Sequence, residues 1–146
     1  MRTTRHTPLS CGIIPVWPVL PSNDKWLYLL LRAYRYWDFP KGMIQPNEDP
    51  WTAALRELQE ETAITSANPR WGKDFYETPV YSGGKVARYY LAEVPAQSVH
   101  ILPNPETGQI EHHGFRWMSY EEARALVVPR VRGALDWARQ MINRKL

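Results

Sequence analysis

"GMIQPNEDPWTAALRELQEETAI", residues 42 to 64, begins as a turn and runs on as a helix. Asp49 precedes Pro50, the arrangement of an N-cap residue followed by proline at the first helical position. The spacing predicts a helix from there to about Glu61 or Thr62. At about 100° per residue, with Glu57 as zero, Glu60 falls near −60° and Glu61 near +40°. Trp51, Ala54, Leu55 and Leu58 gather between about 60° and 160°, so an acidic stripe lies beside an apolar one. Like charges this close cost a few tenths of a kcal/mol per pair. The positions four residues after these glutamates hold Glu61, Ile64 and Thr65, not lysine or arginine. Arg56 projects about 100° from Glu57. The cluster is therefore expected to lack compensation within the helix and to be compensated by a divalent cation. Hard oxygen ligands suit Mg²⁺ or Mn²⁺, and Mg²⁺ works through a few carboxylates together with substrate phosphates.

The 146 residues, 44% of them hydrophobic, suit one domain with a real core, residues 1–146. Abundant proline, tryptophan and tyrosine point to structured loops and aromatic surfaces rather than a helical bundle. No apolar run approaches the roughly 20 residues of a membrane span. The N-terminal stretch starts basic, but Pro15 and Pro18 break its short apolar part, so no signal peptide is expected. Cys11 is the single cysteine, which excludes an internal disulfide. A cytoplasmic location is the expectation. A net charge of +3 favours anionic partners such as phosphates only mildly.

Elsewhere, "SCGIIPVW" and "KWLYLLLRAY" read as strands joined by the loop "PVLPSND". The second is almost wholly apolar from Trp26 to Leu31, as in a strand buried on both faces. "RYWDFPKGMIQPN" reads as a loop. Further strands are expected at "DFYETPVY", "VARYYLAEV" and "HGFRWMS", a short helix at "SYEEARAL" and a terminal one at "RVRGALDWARQMINRK". Strands before and after a central helix predict an α/β fold, a mixed sheet sandwiched by helices.

Gly42, Glu48, Arg56, Glu57, Leu58, Glu60, Glu61 and Ile64 carry a resemblance. At this spacing the segment resembles the Nudix box, G-x5-E-x7-R-E-U-x-E-E-x-G-U with U apolar. Ala63 departs, standing where that family has its second glycine. Asn47 stands where Pro-Gly-Glu is common, a mild change because asparagine tolerates positive φ. If Ala63 must be left-handed, the cost is about 1–2 kcal/mol; otherwise the helix exit is rebuilt and departs from the family's geometry. The resemblance implies an α/β/α sandwich and hydrolysis of a diphosphate linkage. It implies that Glu57, Glu60 and Glu61 bind Mg²⁺ or Mn²⁺, that the Gly42 carbonyl adds an oxygen, and that Glu48 and Arg56 pair to fix the loop on the helix.

Other segments resemble the asymmetric diadenosine tetraphosphate hydrolases of that family. These are Trp37, Pro40, Lys41 and Gly42; Lys85, Tyr89 and Tyr90 through Val94; and Glu111, His112 and Trp117, with Phe115 in place of a tyrosine. The implied reaction gives ATP and AMP. Lys41 and Lys85 are candidates for phosphate contacts, and Tyr81, Tyr89 and Phe115 for stacking on a base. Simple alternation, one ring in the core and one outside, weighs equally for Tyr89 and Tyr90. Core packing is the expectation for Trp117. Glu111 is a candidate metal ligand or base; His112 and His113 rank no higher than supporting contacts. An RNA 5′-pyrophosphohydrolase shares a Trp-x-Phe-Pro-x-Gly lead-in, which makes an RNA 5′ end a second candidate partner. A nucleoside triphosphate pyrophosphatase is a third reading. A non-catalytic nucleotide-binding module fits less well with intact Glu57, Glu60 and Glu61. The sequence leaves the oligomeric state open.

Overall fold

The central strands bury both faces because adjacent apolar side chains point to opposite sides of the sheet. The computed structural model describes residues 8–20, 25–95 and 99–144. Its strands are β1 (Leu9–Leu20), β2 (Lys25–Ala33), β3 (Tyr36–Asp38), β4 (Lys41–Met43), β5 (Phe75–Glu77), β6 (Val86–Glu93) and β7 (Gly114–Met118). Its helices are α1 (Pro50–Thr62), α2 (Tyr120–Leu126) and α3 (Pro129–Asn143). β1 runs parallel to β6, from Leu9 beside Val86 to Val16 beside Glu93. The remaining pairings are antiparallel: β1 with β2 and β4, β2 with β3 and β7, and β5 with β6. The sheet is therefore mixed.

Ile13, Leu29, Tyr90 and Ala92 join Ala53, Ala54 and Leu58 of α1 in one core. Ile14, Leu30, Tyr89 and Leu91 join Ala123 of α2 and Val131, Leu135 and Ala138 of α3 in the other. The result is the α/β/α sandwich the element order predicts. The alternation reading of Tyr89 and Tyr90 is corrected: both rings are buried, one in each core, because the sheet is covered on both sides. Trp117 packs against the α1 side, as expected.

Two loop readings are also corrected. β1 continues through Pro18, which lies beside Trp26, to Leu20, with a register shift between Pro18 and Leu20. A proline is tolerated where such an irregularity interrupts the ladder. Residues 21–24 of that expected loop lie outside the described residues, as do residues 1–7 of the basic N-terminal stretch and Lys145 of the terminal helix. The expected loop over residues 35–47 holds β3 and β4. β4 is stapled to β1 by pairing Ser10 with Met43 and Gly12 with Lys41, a contact that no local pattern announces. The strand expected at residues 74–81 is shorter, covering Phe75–Glu77.

α1 starts and stops by side-chain chemistry. The Asp49 carboxylate accepts from the Thr52 backbone N–H at 3.2 Å, and Pro50 occupies the first turn. At the other end Ala63 adopts φ 68° and ψ 6°, and its N–H donates to the Gln59 carbonyl at 2.9 Å. The exit is therefore left-handed, the first of the two alternatives. Thr62, fully buried, donates its hydroxyl to the Leu58 carbonyl at 2.6 Å and accepts from the Ile64 N–H at 3.1 Å.

Candidate active site

The acidic stripe of α1 does not face open solvent. Glu57 and Glu61 are buried, each 9% exposed, whereas the Glu60 side chain keeps 31%. β4 lies directly on this face. A Cβ built on Gly42 would fall 2.2 Å from the Glu57 carboxylate carbon, so only glycine lets the strand approach. The Lys41 N–H donates to Glu61 Oε1 at 3.2 Å.

Arg56 organises the loop and the carboxylates together. Its Nε and Nη2 donate to the two Glu48 oxygens at 2.7 and 3.0 Å, a bidentate pair. Nη2 also donates to the Met43 carbonyl at 3.1 Å, tying the helix to the end of β4. Nη1 donates to Glu57 Oε1 at 2.8 Å and to Glu60 Oε2 at 3.1 Å. The expectation that the cluster lacks compensation within the helix is therefore corrected. The compensating cation sits four residues before Glu60, and its long side chain reaches back over Glu57 despite the angle between their Cα–Cβ directions. The Glu48 turn is closed by Gln45 N–H donating to Glu48 Oε1 at 3.0 Å, with Asn47 at φ 65°.

Arg56 neutralises only part of the charge. Burial pushes the Glu57 carboxyl up, against the pull of Arg56. Burial and the adjacent Glu57 carboxylate push Glu61 well above the usual carboxylate range. Burial holds the neighbouring His112 below its usual value; its Nε2 lies 4.0 Å from Glu61 Oε1. Two buried carboxyls sharing a site are costly as anions unless a cation joins them. Glu57, Glu60, Glu61 and the Gly42 carbonyl supply hard oxygen donors of the type Mg²⁺ and Mn²⁺ take. Among the described residues no three His, Cys, Asp or Glu side chains already converge as a ready metal cage. Glu60 is instead turned to Arg56.

These groups open onto a cleft of about 590 Å³. Lys41, Lys85, Tyr81 and Glu111 line it beside the box residues. Lys41 Nζ lies 3.5 Å from Asp38 Oδ2. Tyr81 and Lys85 face each other across a tight turn. Glu111 accepts from Asn104 Nδ2 at 3.1 Å. One candidate is corrected. Tyr89 is fully buried, with its hydroxyl donating to Asp38 Oδ1 at 2.8 Å and its ring edge-on to Phe39, so it has no face for a base. Phe115 of β7 pairs with Leu31 of β2 and leaves its ring 43% exposed beside the cleft-lining segment that ends at His112. Sequence reasoning missed Asp38 and Asn104 and underweighted His112. Asp38 touches Tyr89 across 51 positions of sequence, a pairing that only the folded sheet creates.

A family model described as NUDIX domain matches residues 14–138. The asymmetrical bis(5′-nucleosyl)-tetraphosphatase of Caenorhabditis elegans is 36% identical over 104 residues, covering 66% of this chain and 70% of that protein. The RNA pyrophosphohydrolase of Nitrobacter winogradskyi is 30% identical over 109 residues, covering 64% of this chain and 63% of that protein. Among solved structures, a binary complex of Caenorhabditis elegans Ap4A hydrolase superposes with a TM-score of 0.72 at 26% identity, covering 91% of this chain and 97% of that one.

Proposed function

The chain belongs to the Nudix family, and from that premise we propose that it hydrolyses a phosphoanhydride of a nucleoside polyphosphate, diadenosine tetraphosphate to ATP and AMP. The observation that carries this reading is the buried Glu57–Glu61 pair beneath Gly42, opening onto a cleft walled by Lys41 and Lys85. Glu57, Glu60, Glu61 and the Gly42 carbonyl would hold Mg²⁺ or Mn²⁺, with Glu111 a further candidate ligand. Such an ion neutralises phosphate charge and lowers the pKa of bound water. Lys41 and Lys85 hold phosphate oxygens as point charges. Arg56, locked by Glu48 and Met43, keeps the carboxylates aligned. Water attacks phosphorus, the phosphoanhydride P–O bond breaks, and the proton passes to a carboxylate exposed to the cleft, Glu111 or Glu60. We place this single-domain enzyme in the cytoplasm; among the described residues no helix is long and apolar enough to cross a membrane.

A second reading, removal of pyrophosphate from an RNA 5′ end, is favoured by the likeness to an RNA pyrophosphohydrolase and by the lead-in Trp37-Asp38-Phe39-Pro40. Incubation with Mg²⁺ and a panel of diadenosine tetraphosphate, 5′-triphosphate RNA, dNTPs and ADP-ribose, with products resolved by chromatography, separates the readings. ATP plus AMP from the first substrate is the expected result. Preferred release of pyrophosphate from RNA would select the second reading, and no turnover at all would leave a binding module. Glu60→Gln is expected to cut turnover by orders of magnitude while leaving the melting temperature nearly unchanged. Near-full activity in that variant would remove Glu60 from the ligand set.

A further inference from the structure

On α3, beside the cleft residues Tyr81 and Asp38's partner Lys41, one arginine is engaged by chemistry the proposed reaction does not use. Arg130 projects from the first turn of α3. Its guanidinium carbon lies 4.1 Å from the centroid of the Tyr81 ring, well inside the range of a cation–π contact. Its Nη1 lies 3.5 Å from Asp38 Oδ2. Asp38 is itself fixed, since its Oδ1 accepts from the Phe39 N–H at 2.7 Å and from the Tyr89 hydroxyl at 2.8 Å. The guanidinium is thus anchored from below and spreads over one side of an aromatic ring.

Tyr81 is held from its backbone as well. Its N–H donates to the Lys85 carbonyl at 2.9 Å, and the Lys85 N–H returns to the Tyr81 carbonyl at 2.8 Å. Ser82, Gly83 and Gly84, all at positive φ, make the turn tight enough for this exchange. Tyr81 and Lys85 both belong to the cleft wall, whereas Arg130 lies outside it. The guanidinium covers one face of the ring, and the Asp38 oxygen it reaches is shared with Lys41 of the cleft wall. A tyrosine on a turn otherwise loses rotamer freedom when a ligand stacks on it, and that loss weakens binding. A ring already held flat by a guanidinium avoids that loss.

We propose that Arg130 is a specificity-determining positioning residue, which clamps one face of Tyr81 so that the ring's opposite face receives the second nucleobase of a dinucleoside polyphosphate. The inference rests on the proposed hydrolysis of such a substrate. Arg130 touches neither phosphate nor the reacting atoms, so its effect depends on whether a second base is present.

The test compares diadenosine tetraphosphate with adenosine 5′-tetraphosphate, which has the same number of phosphates and one base fewer. kcat and KM are measured for the full-length wild type, Arg130→Gln, Tyr81→Ala and the double variant. Arg130→Gln should raise KM for diadenosine tetraphosphate about five-fold and that for adenosine 5′-tetraphosphate less than about two-fold, the scale of ordering one side chain on binding. In the Tyr81→Ala background the same substitution should add nothing. An equal rise on both substrates would overturn the proposal and make Arg130 a phosphate contact. An undiminished effect without Tyr81 would overturn it too. If Arg130→Gln does not fold, Arg130→Lys is read by the same criteria, because it retains the charge beside Asp38 and lacks the planar stacking group. A wild type inert toward diadenosine tetraphosphate would overturn the functional reading and this inference together. An active wild type with an unselective Arg130→Gln would overturn this inference alone.

Discussion

Ala63 holds φ 68° and ψ 6° at the end of α1, a conformation in which a Cβ crowds the following carbonyl. Its N–H still closes the helix on Gln59, so the backbone geometry is kept and the strain is borne by the residue. Ala63→Gly removes that strain and is expected to stabilise the protein by about 1 kcal/mol, after the extra flexibility that glycine gives the unfolded chain. A thermal melt should rise by roughly 3 °C; a fall would show that the alanine methyl makes a compensating contact. Gly42 is the opposite case. Its φ is unremarkable, and the constraint is purely steric, a Glu57 carboxylate 2.2 Å from where a Cβ would stand. Arg56 holds that carboxylate at 2.8 Å, so it has little room to retreat. Under the proposed site assignment, Gly42→Ala should lower kcat/KM by roughly a hundred-fold, the penalty for moving a group of the reaction site by about 1 Å. Wild-type kinetics in a folded Gly42→Ala protein would show that Glu57 need not stay where it is.

Helix α1 was readable because its signals are local: Asp49, Pro50, the apolar stripe and the glutamates all lie within one element. The same locality caused the misreadings. A helical wheel places Arg56 by its Cα–Cβ direction, but a guanidinium on a long stem reaches Glu57, Glu60 and Glu48 at once. The motif located Lys41, Gly42 and Glu111 in the cleft, yet Tyr89 failed as a base contact because alternation cannot say whether the outer face of a strand is covered. β4 escaped notice since three residues with a glycine form a strand only when β1 is there to pair them. α3 contains a similar hidden constraint. A Cβ on Gly133 would stand 2.4 Å from the Tyr76 hydroxyl of β5, whose ring packs against Trp137. Alanine gains about 1 kcal/mol in helix propensity, while overpacking costs about 1–3 kcal/mol. Gly133→Ala should therefore destabilise by roughly 1 kcal/mol in a denaturant melt. Adding Tyr76→Phe removes the clashing oxygen and should restore the loss; a stabilised single variant would show that the helix can shift at no cost.

The two cores share one sheet, and the buried carboxylates sit at the margin of only one of them. Their placement is a stability problem for the whole molecule. Glu57 and Glu61 are drawn into a low-dielectric site in the folded chain and are fully hydrated in the unfolded one. Arg56 offsets part of this, but its charge is already shared with Glu48 and Glu60. A divalent cation that binds these oxygens in the folded state alone must stabilise the fold by mass action. At 100 times its dissociation constant the gain is about 2.7 kcal/mol, or roughly 8 °C for a chain of this size. Melting the substrate-free protein with increasing MgCl₂, at ionic strength held constant with NaCl, should show this rise saturating. Glu57→Gln and Glu61→Gln should each lose most of it while still melting cooperatively, because each removes an anionic oxygen ligand and leaves the α1 packing in place. No rise in the wild type would mean that the carboxylates do not hold the ion without substrate phosphates. An equal rise in both variants would place the ion elsewhere on the protein, and the assignment of the acidic face of α1 would fail independently of any measured activity.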